Sequence, residues 1–119
     1  MTSSMTFSMT SALRTSIALL LLATAPAALA YQWVKPNDAG ARVRVALSQD
    51  DVAACERVGD ATATTTDRVL GVPRVKDVVV GELTALAQNR AAEMGGDTVV
   101  AEGPVSHGTQ RFAVYRCGG

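Results

Sequence analysis

Two cysteines, Cys55 and Cys117, constrain what this chain of 119 residues can fold into more than any other feature of its sequence. In an oxidising compartment, two cysteines of this kind most often form a structural disulfide. Closing the long loop between them would contribute about 4 kcal/mol in the chain-entropy estimate. A redox-active pair and a metal site are the alternatives. The pair lacks the Cys-x-x-Cys spacing, however, and a metal site needs more ligands than these cysteines and the single histidine.

The N-terminal segment predicts the compartment. Residues 1–14 are polar and carry one positive charge, and residues 16–30, SIALLLLATAPAALA, form an apolar run that ends in small side chains. Residues 28–30, Ala-Leu-Ala, have the small-x-small pattern of a signal-peptidase site, so we predict an export signal that is cleaved after Ala30. An uncleaved anchor is the alternative, although a membrane span needs roughly 20 apolar residues. The segment has no cysteine for a lipid anchor, so we predict a periplasmic or secreted protein.

The predicted mature chain, residues 31–119, is long enough for one small domain. We divide it into an N-terminal leader at residues 31–40, which is rich in turn-forming residues, and a single domain at residues 41–119. Trp33 either packs on the domain or ends a mobile leader. Without the signal, 10 basic and 11 acidic residues leave a net charge of −1. This balance gives no reason to expect nucleic acid or an anionic membrane as a partner.

Two segments in the first half of the domain predict strands. In ARVRVALS, residues 41–48, apolar side chains at every second position indicate a half-buried strand. Residues 54–64 predict a second strand, although their Ala/Thr tail is also compatible with a flexible loop. Residues 67–76 contain a glycine and a proline, which predict a loop.

Residues 77–96, DVVVGELTALAQNRAAEMGG, form the clearest predicted helix. Asp77 is a good N-cap residue, and Gly95 can adopt the left-handed conformation that ends a helix. Apolar side chains recur at spacings of three and four and would form one inward face: Val79, Leu83, Leu86, Ala87, Ala91 and Met94.

Two further strands follow the helix. Residues 97–102, DTVVAE, and residues 110–117, QRFAVYRC, are joined by a Gly/Pro-containing loop at residues 103–109, most simply as an antiparallel hairpin. In the last strand Phe112 and Val114 would face one side, and Ala113, Tyr115 and Cys117 the other. The order β-β-α-β-β predicts an α+β domain, with one helix packed on a mainly antiparallel sheet.

The most basic stretch of the mature chain is residues 68–76. Four residues of this stretch and the following hairpin loop are our candidate contacts to an acidic partner: Arg68, Arg74, Lys76 and His107. Solvated surface charge, and a solvated loop histidine, are the alternatives. Ser106 precedes His107, but the side chains of adjacent residues diverge and no Gly-x-Ser-x-Gly turn is present, so we predict no catalytic dyad.

The sequence predicts no catalytic or cofactor site. The carboxylates Glu82, Glu93, Asp97 and Glu102 are scattered over helix and strand, and we predict that they are surface charges. The glycine pair ends the helix, whereas phosphate-binding glycines precede one. Aromatic residues make up 4% of the chain, which gives no stacking platform for nucleic acid. We therefore expect no catalytic residues, no cofactor, no bound metal and no enzymatic activity.

Three fragments of the sequence resemble a known bacterial family. They are CERVG around Cys55, LAQNRAAEMGGDTVV at residues 86–100 and FAVYRC at residues 112–117. In this order they resemble a domain-of-unknown-function family of small exported envelope proteins and lipoproteins, over about residues 43–117. More remotely, the pattern is similar to the Rcs stress-sensor lipoprotein RcsF, whose domain has four cysteines where this chain has two.

The resemblance implies a disulfide between Cys55 and Cys117 that ties the second strand to the last. It also implies packing and turn roles for five small residues: Gly59, Ala91, Ala92, Gly95 and Gly96. We therefore expect a non-enzymatic interaction domain of the cell envelope, with another envelope protein as its partner. The alternatives are a small-molecule-binding or hydrolytic protein with a cleft near His107 and residues 68–76, a structural or redox-protective protein, and an envelope stress-sensing module.

Overall fold

Four strands form the central sheet of the computed structural model, which describes residues 27–118. The predicted signal peptide falls mostly on residues 1–26, outside the described residues, so its cleavage stays a prediction. The elements are, in chain order, helix α1 (Ala27–Ala30), helix α2 (Asp38–Ala41), strand β1 (Arg44–Ala46), a 3₁₀ helix (Gln49–Val52), strand β2 (Glu56–Thr64), strand β3 (Arg68–Val69), strand β4 (Val72–Pro73), helix α3 (Lys76–Glu93), strand β5 (Thr98–Ser106) and strand β6 (Thr109–Arg116). Within residues 27–118, no helix is long and apolar enough to cross a membrane.

The sheet has the strand order β1-β5-β6-β2 and is mainly antiparallel. β6 pairs with β2 from Glu56 opposite Arg116 to Thr64 opposite Thr109, and it pairs with β5 on its other side. β1 is shorter than predicted and lies parallel to the first three residues of β5. The predicted α+β fold, with one main helix on a mainly antiparallel sheet, is confirmed.

The β5–β6 hairpin extends further than the sequence indicates. The prediction of a loop at residues 103–109 is wrong, because the two strands continue until only His107 and Gly108 remain between them. These two residues have positive φ angles of 50° and 72°, as a tight two-residue hairpin turn of this kind requires. Pro104 is tolerated because β1 covers only the start of β5, which leaves this part of β5 at the edge of the sheet.

Helix α3 starts one residue before Asp77, so the prediction of Asp77 as N-cap is wrong. The Asp77 carboxylate lies in the first helical turn instead, where it faces the positive end of the helix dipole. At the other end Gly95 has a φ angle of 79°, and the N–H of Gly96 donates to the carbonyl oxygen of Ala91 at 2.8 Å. This is a Schellman termination, and it confirms the predicted helix end.

The apolar face of α3 packs on one face of the sheet. Of the predicted inward residues, four are buried and two are half-buried: Val79, Leu83, Ala87 and Ala91, and then Leu86 and Met94. They pack against Phe112 and Val114 of β6. This confirms the prediction that Phe112 and Val114 face the same side of the sheet.

The 3₁₀ helix covers part of the other face of the sheet. Ala113 and Tyr115 of β6 form a second buried cluster with Val52 of that helix. The Tyr115 hydroxyl donates to the side-chain oxygen of Gln49 at 3.2 Å. Both faces of β6 are therefore buried over residues 112–115, which accounts for the four consecutive apolar residues FAVY in this strand.

Cys55 and Cys117 form a disulfide, with their Cα atoms 4.5 Å apart. The bridge lies just beyond the pair Glu56–Arg116, so it fastens the start of β2 to the end of β6. The predicted disulfide is confirmed, and the described part of the chain contains no free cysteine. Disulfides of this kind are typical of proteins in oxidising compartments.

Candidate functional site

Arg74 and Glu82 form a buried ion pair at the end of the sheet opposite the disulfide. Arg74 Nη1 lies 2.7 Å from Glu82 Oε1, and Nη2 lies 2.8 Å from Oε2, so the guanidinium and the carboxylate meet in a two-pronged geometry. Both side chains are 0% exposed. The prediction that Glu82 is a surface charge is wrong. Glu82 lies between Val79 and Leu83 on the inward face of α3. This position in the sequence is the signal that could have indicated a buried carboxylate, which needs a cation as its partner.

Residues 31–36, which we call the N-terminal strap, close over this ion pair. The backbone N–H of Trp33 donates to Glu82 Oε2 at 2.5 Å, and Arg74 Nη2 donates to the carbonyl oxygen of Tyr31 at 2.8 Å. The Trp33 ring stacks on the guanidinium, with Arg74 Cζ 3.7 Å from the ring centroid. Trp33 therefore packs on the domain, and the strap is held to it by both backbone and side chain.

Two threonines that follow β2 add further hydrogen bonds to the pair, although the buried Arg74 Nε has no hydrogen-bond partner among the described residues. Thr65 Oγ1 donates to Glu82 Oε1 at 2.7 Å, and Arg74 Nη1 donates to the carbonyl oxygen of Thr66 at 2.8 Å. Each carboxylate oxygen of Glu82 thus accepts two hydrogen bonds. The sequence offered no local signal for Thr65, because its role depends on where the chain turns after β2.

This arrangement keeps both groups charged. The hydrogen bonds from Arg74, with smaller contributions from Thr65 and the backbone of Trp33, lower the pKa of Glu82 to about 2, although burial opposes this shift. The hydrogen bonds to Glu82 raise the pKa of Arg74 above its ordinary value. A carboxylate with such a low pKa is a poor general base at neutral pH. The hydrogen bonds from Trp33 to Glu82 and from Arg74 to Tyr31 hold the strap against the pair.

A groove of about 230 Å³ lies beside the ion pair, and we call it the basic groove. It runs between the β3–β4 ribbon, the start of α3 and the β5–β6 turn. All four residues that the sequence singled out as candidate partner contacts line it: Arg68, Arg74, Lys76 and His107. Three valines give it an apolar wall: Val79, Val80 and Val105. The predicted loop at residues 67–76 is thus partly a two-stranded ribbon, whose strands place these basic residues.

The four basic residues differ in what they can offer a ligand. Arg68, Lys76 and His107 are exposed, whereas Arg74 is buried and its charge is balanced by Glu82. Asp67 also lines the groove and offsets part of the positive charge. The structure therefore brings the predicted contact residues together, with two exposed permanent cations beside an apolar wall.

The other carboxylates that were predicted as surface charges lie outside the basic groove. Glu93 is exposed and pairs with an arginine of the same helix at 2.9 Å, and Glu102 lies 3.0 Å from Arg57 Nη2. Asp97 Oδ1 accepts the backbone N–H of Cys117 at 2.9 Å, so it supports the disulfide end of the sheet. Within residues 27–118, no cluster of three or more His, Cys, Asp or Glu could hold a metal ion.

The sequence model of one protein family, described as a domain of unknown function (DUF4156), matches residues 34–117. The chain belongs to the DUF4156 family. The comparisons with curated proteins and with solved structures found no match. The DUF4156 match includes both cysteines, the Arg74–Glu82 pair and the whole basic groove, and it begins one residue after Trp33.

Proposed function

We propose that this DUF4156 protein is an exported, non-enzymatic domain that binds an acidic segment of another envelope protein in the basic groove. The observation that carries the proposal is the convergence of Arg68, Lys76 and His107 on one groove with an apolar wall. The disulfide supports an oxidising compartment, and the apolar run at residues 16–30 supports export.

The chemistry of the groove favours a particular kind of segment. Arg68 and Lys76 carry the charges that are free to attract a carboxylate, because the charge of Arg74 is already balanced. Val79, Val80 and Val105 would receive an apolar side chain next to that carboxylate. We therefore expect a short peptide segment with an acidic residue beside an aliphatic one. Charge complementarity of this kind sets the association rate and the partner choice more than the affinity.

Binding of a small anionic molecule in the same groove is the second candidate. The groove volume of about 230 Å³ is below the roughly 300–1,000 Å³ that is common for small-molecule sites, which favours one or two side chains of a peptide. Hydrolysis is less well supported than binding. Among the described residues that line the groove there is no serine, threonine or cysteine to act as a nucleophile.

Charge reversal tests the proposal. The double variant Arg68→Glu/Lys76→Glu should lose a partner that the unchanged protein recovers from periplasmic extract, as quantified by mass spectrometry. The matched control is Arg42→Glu/Arg44→Glu, which changes the net charge equally but alters a different surface, and it should keep the partner. Capture should also weaken as salt is raised, since exposed charges are screened. Equal recovery by both double variants, or no specific partner for the unchanged protein, would refute the proposal.

A further inference from the structure

One edge of the central sheet is open along a long strand. β2 lies at the end of the strand order, and among residues 27–118 no strand pairs with its outer side. Natural proteins usually protect such edges by shortness, charge, proline or a bulge. The other free edges of this sheet follow that rule: β1 is three residues long, and the part of β5 that β1 leaves uncovered contains Pro104. β2 is the exception.

The second half of β2 has none of these protections. The irregularity in the register with β6 lies between Arg57 and Gly59, and from Gly59 to Thr64 the pairing is regular. Residues 61–64, Ala-Thr-Ala-Thr, contain neither a charge nor a proline, and threonine is a residue type that favours strands. A straight, uncharged edge of this kind is a template on which another strand can pair.

The backbone groups that face the open edge follow from the hairpin end of the sheet. In an antiparallel ladder, successive residues direct their N–H and C=O groups alternately to the two sides of the strand. The N–H of Thr65 donates to the carbonyl oxygen of Gly108 at 2.8 Å, so it points towards the β5–β6 hairpin. The N–H and C=O groups of Asp60, Thr62 and Thr64 therefore point away from β6, to the open edge.

The helix leaves space beside this edge. A groove of about 640 Å³, which we call the edge groove, runs along residues 60–64 and is bounded on its other side by α3. The β2 side chains that face α3 are only Ala61 and Ala63, and both are buried. From α3, Leu86 and Arg90 contribute to the wall. An added strand therefore meets no large side chain along β2.

The charges at the edge groove are already balanced within the domain. Asp60 forms an ion pair with Arg57, and Arg90 Nη1 lies 2.9 Å from Glu93 Oε2. An occupant of this groove thus needs no net charge, in contrast to an occupant of the basic groove. What the edge asks for is an extended backbone with donors and acceptors at matching positions.

The segment is complementary to itself in one register. When two copies are paired antiparallel about Thr62, this residue lies opposite Thr62 of the second copy, and Asp60 lies opposite Thr64. All outward-pointing backbone groups of residues 60, 62 and 64 then have partners in both copies. Threonine pairs across strands are favourable, and no like charges oppose each other. A register centred on Asp60 would place two aspartates opposite each other, which is unfavourable.

We propose that two copies of this protein join through their open β2 edges, around a two-fold axis at Thr62, into one continuous sheet. Ala61 lies opposite Ala63 in this pairing, so both α3 helices lie on the same side of the sheet and the two edge grooves face each other. Such an interface uses the same surface of both copies. It shares no residue with the basic groove, so the dimer presents two basic grooves and the inference goes beyond the proposed function.

Cysteine cross-linking tests the register. The Cα atoms of a hydrogen-bonded antiparallel pair are about 5.5 Å apart, which suits a disulfide. The purified exported Thr62→Cys variant should therefore form a covalent dimer under mild oxidation, seen by non-reducing electrophoresis, while peptide mapping shows the Cys55–Cys117 bridge unchanged. The matched control is Thr64→Cys. Its counterpart in the second copy is displaced by four residues, about 14 Å along the strand, so this variant should stay monomeric.

Proline at the axis tests the hydrogen bonds. The N–H of Thr62 points to the open edge, so Thr62→Pro removes no hydrogen bond within the domain and should fold, as thermal unfolding will show. In sedimentation equilibrium the unchanged protein should dimerise, and Thr62→Pro should associate at least about 30-fold more weakly, because it removes one hydrogen bond from each copy. Thr62→Val is the matched control, since it keeps the N–H and the branched shape, and it should dimerise as the unchanged protein does.

Several outcomes would overturn the inference. One is an unchanged protein that stays monomeric up to about 1 mM. Another is equal cross-linking by Thr62→Cys and Thr64→Cys, a comparison that decides the matter even if Thr62→Pro does not fold. A third is a dimer that Arg68→Glu/Lys76→Glu dissociates, since that result would place the interface in the basic groove.

Discussion

The two ends of the sheet are closed by different means. At one end the Cys55–Cys117 disulfide lies beside the first β2–β6 pair, and at the other the strap covers the Arg74–Glu82 ion pair beside the β5–β6 turn. A disulfide stabilises a fold mainly by restricting the unfolded chain. A buried ion pair acts in the folded state and is favourable only while both partners are present and hydrogen-bonded. The covalent end should therefore tolerate changes around it, whereas the ionic end should depend on every member.

The largest expected effect comes from removing one charge at the ionic end. Glu82→Gln keeps the side-chain shape but leaves the Arg74 guanidinium buried without its counter-charge, which should cost about 3–5 kcal/mol of unfolding free energy. The matched control is Glu93→Gln on the same helix, where an exposed pair is lost and the cost should stay below about 1 kcal/mol. Urea unfolding measures both. Similar values for the two variants would remove the distinction between buried and surface pairs.

Removing the covalent end should have a slightly smaller effect. The Cys55→Ser/Cys117→Ser variant should lose about 2–4 kcal/mol, because the unfolded chain regains the freedom of the long loop. Since the two ends share no partner, combining this variant with Glu82→Gln should add the two losses to within about 0.5 kcal/mol. Non-additive losses in urea unfolding would show that the ends are coupled.

Lowering the pH should weaken the ionic end of the sheet without weakening the disulfide, so the two ends can be distinguished without mutation. The pKa of Glu82 is lowered from 4.5 to about 2 in the folded protein, so the stabilisation from its charge is fully present above pH 4.5 and is lost as the pH falls towards 2. The loss attributable to Glu82 should be roughly 3 kcal/mol. It is measured as the difference between the unchanged protein and Glu82→Gln at each pH. A difference that stays constant over this range would contradict the assignment.

The strap should make the smallest contribution. Trp33→Leu keeps the backbone hydrogen bond to Glu82 and removes the ring from the guanidinium, so we expect a loss of about 1–2 kcal/mol. Tyr31→Leu is the comparison, because the ring of Tyr31 is exposed and lies 5.9 Å from the Lys35 ammonium. It should change the thermal midpoint little. If the two variants melt alike, the stacking on Arg74 adds nothing to the strap.

Local patterns predicted the parts of this fold that depend on local physics. The spacing of Val79, Leu83, Ala87 and Ala91 follows from the helical repeat, and the alternation of Phe112 and Val114 follows from the strand repeat. The disulfide could be predicted because two cysteines have a single pairing. The basic groove could be predicted in part, because three exposed basic residues were recognised by type and loop position.

The features that were missed depend on neighbours distant in sequence. Glu82 looked like a surface charge until the ribbon placed Arg74 against it, and Trp33 had two open alternatives until Glu82 offered its backbone a partner. The hairpin loop was predicted to be too long because it contains Pro104, and a proline usually ends a strand. Its tolerance comes from the shortness of β1, which no property of the hairpin sequence reveals.

The position of β6 has a consequence for when this domain can assemble. β6 is the last strand of the described chain, yet it lies between β5 and β2, and both hydrophobic clusters include its side chains. Until residues 109–116 have emerged from a ribosome or a translocation channel, β2 has no partner strand in this sheet. A chain that is threaded through a membrane from its N-terminus would therefore remain unfolded for most of its passage. Such a delay would fit the export that we propose for this protein, which requires an unfolded chain during passage.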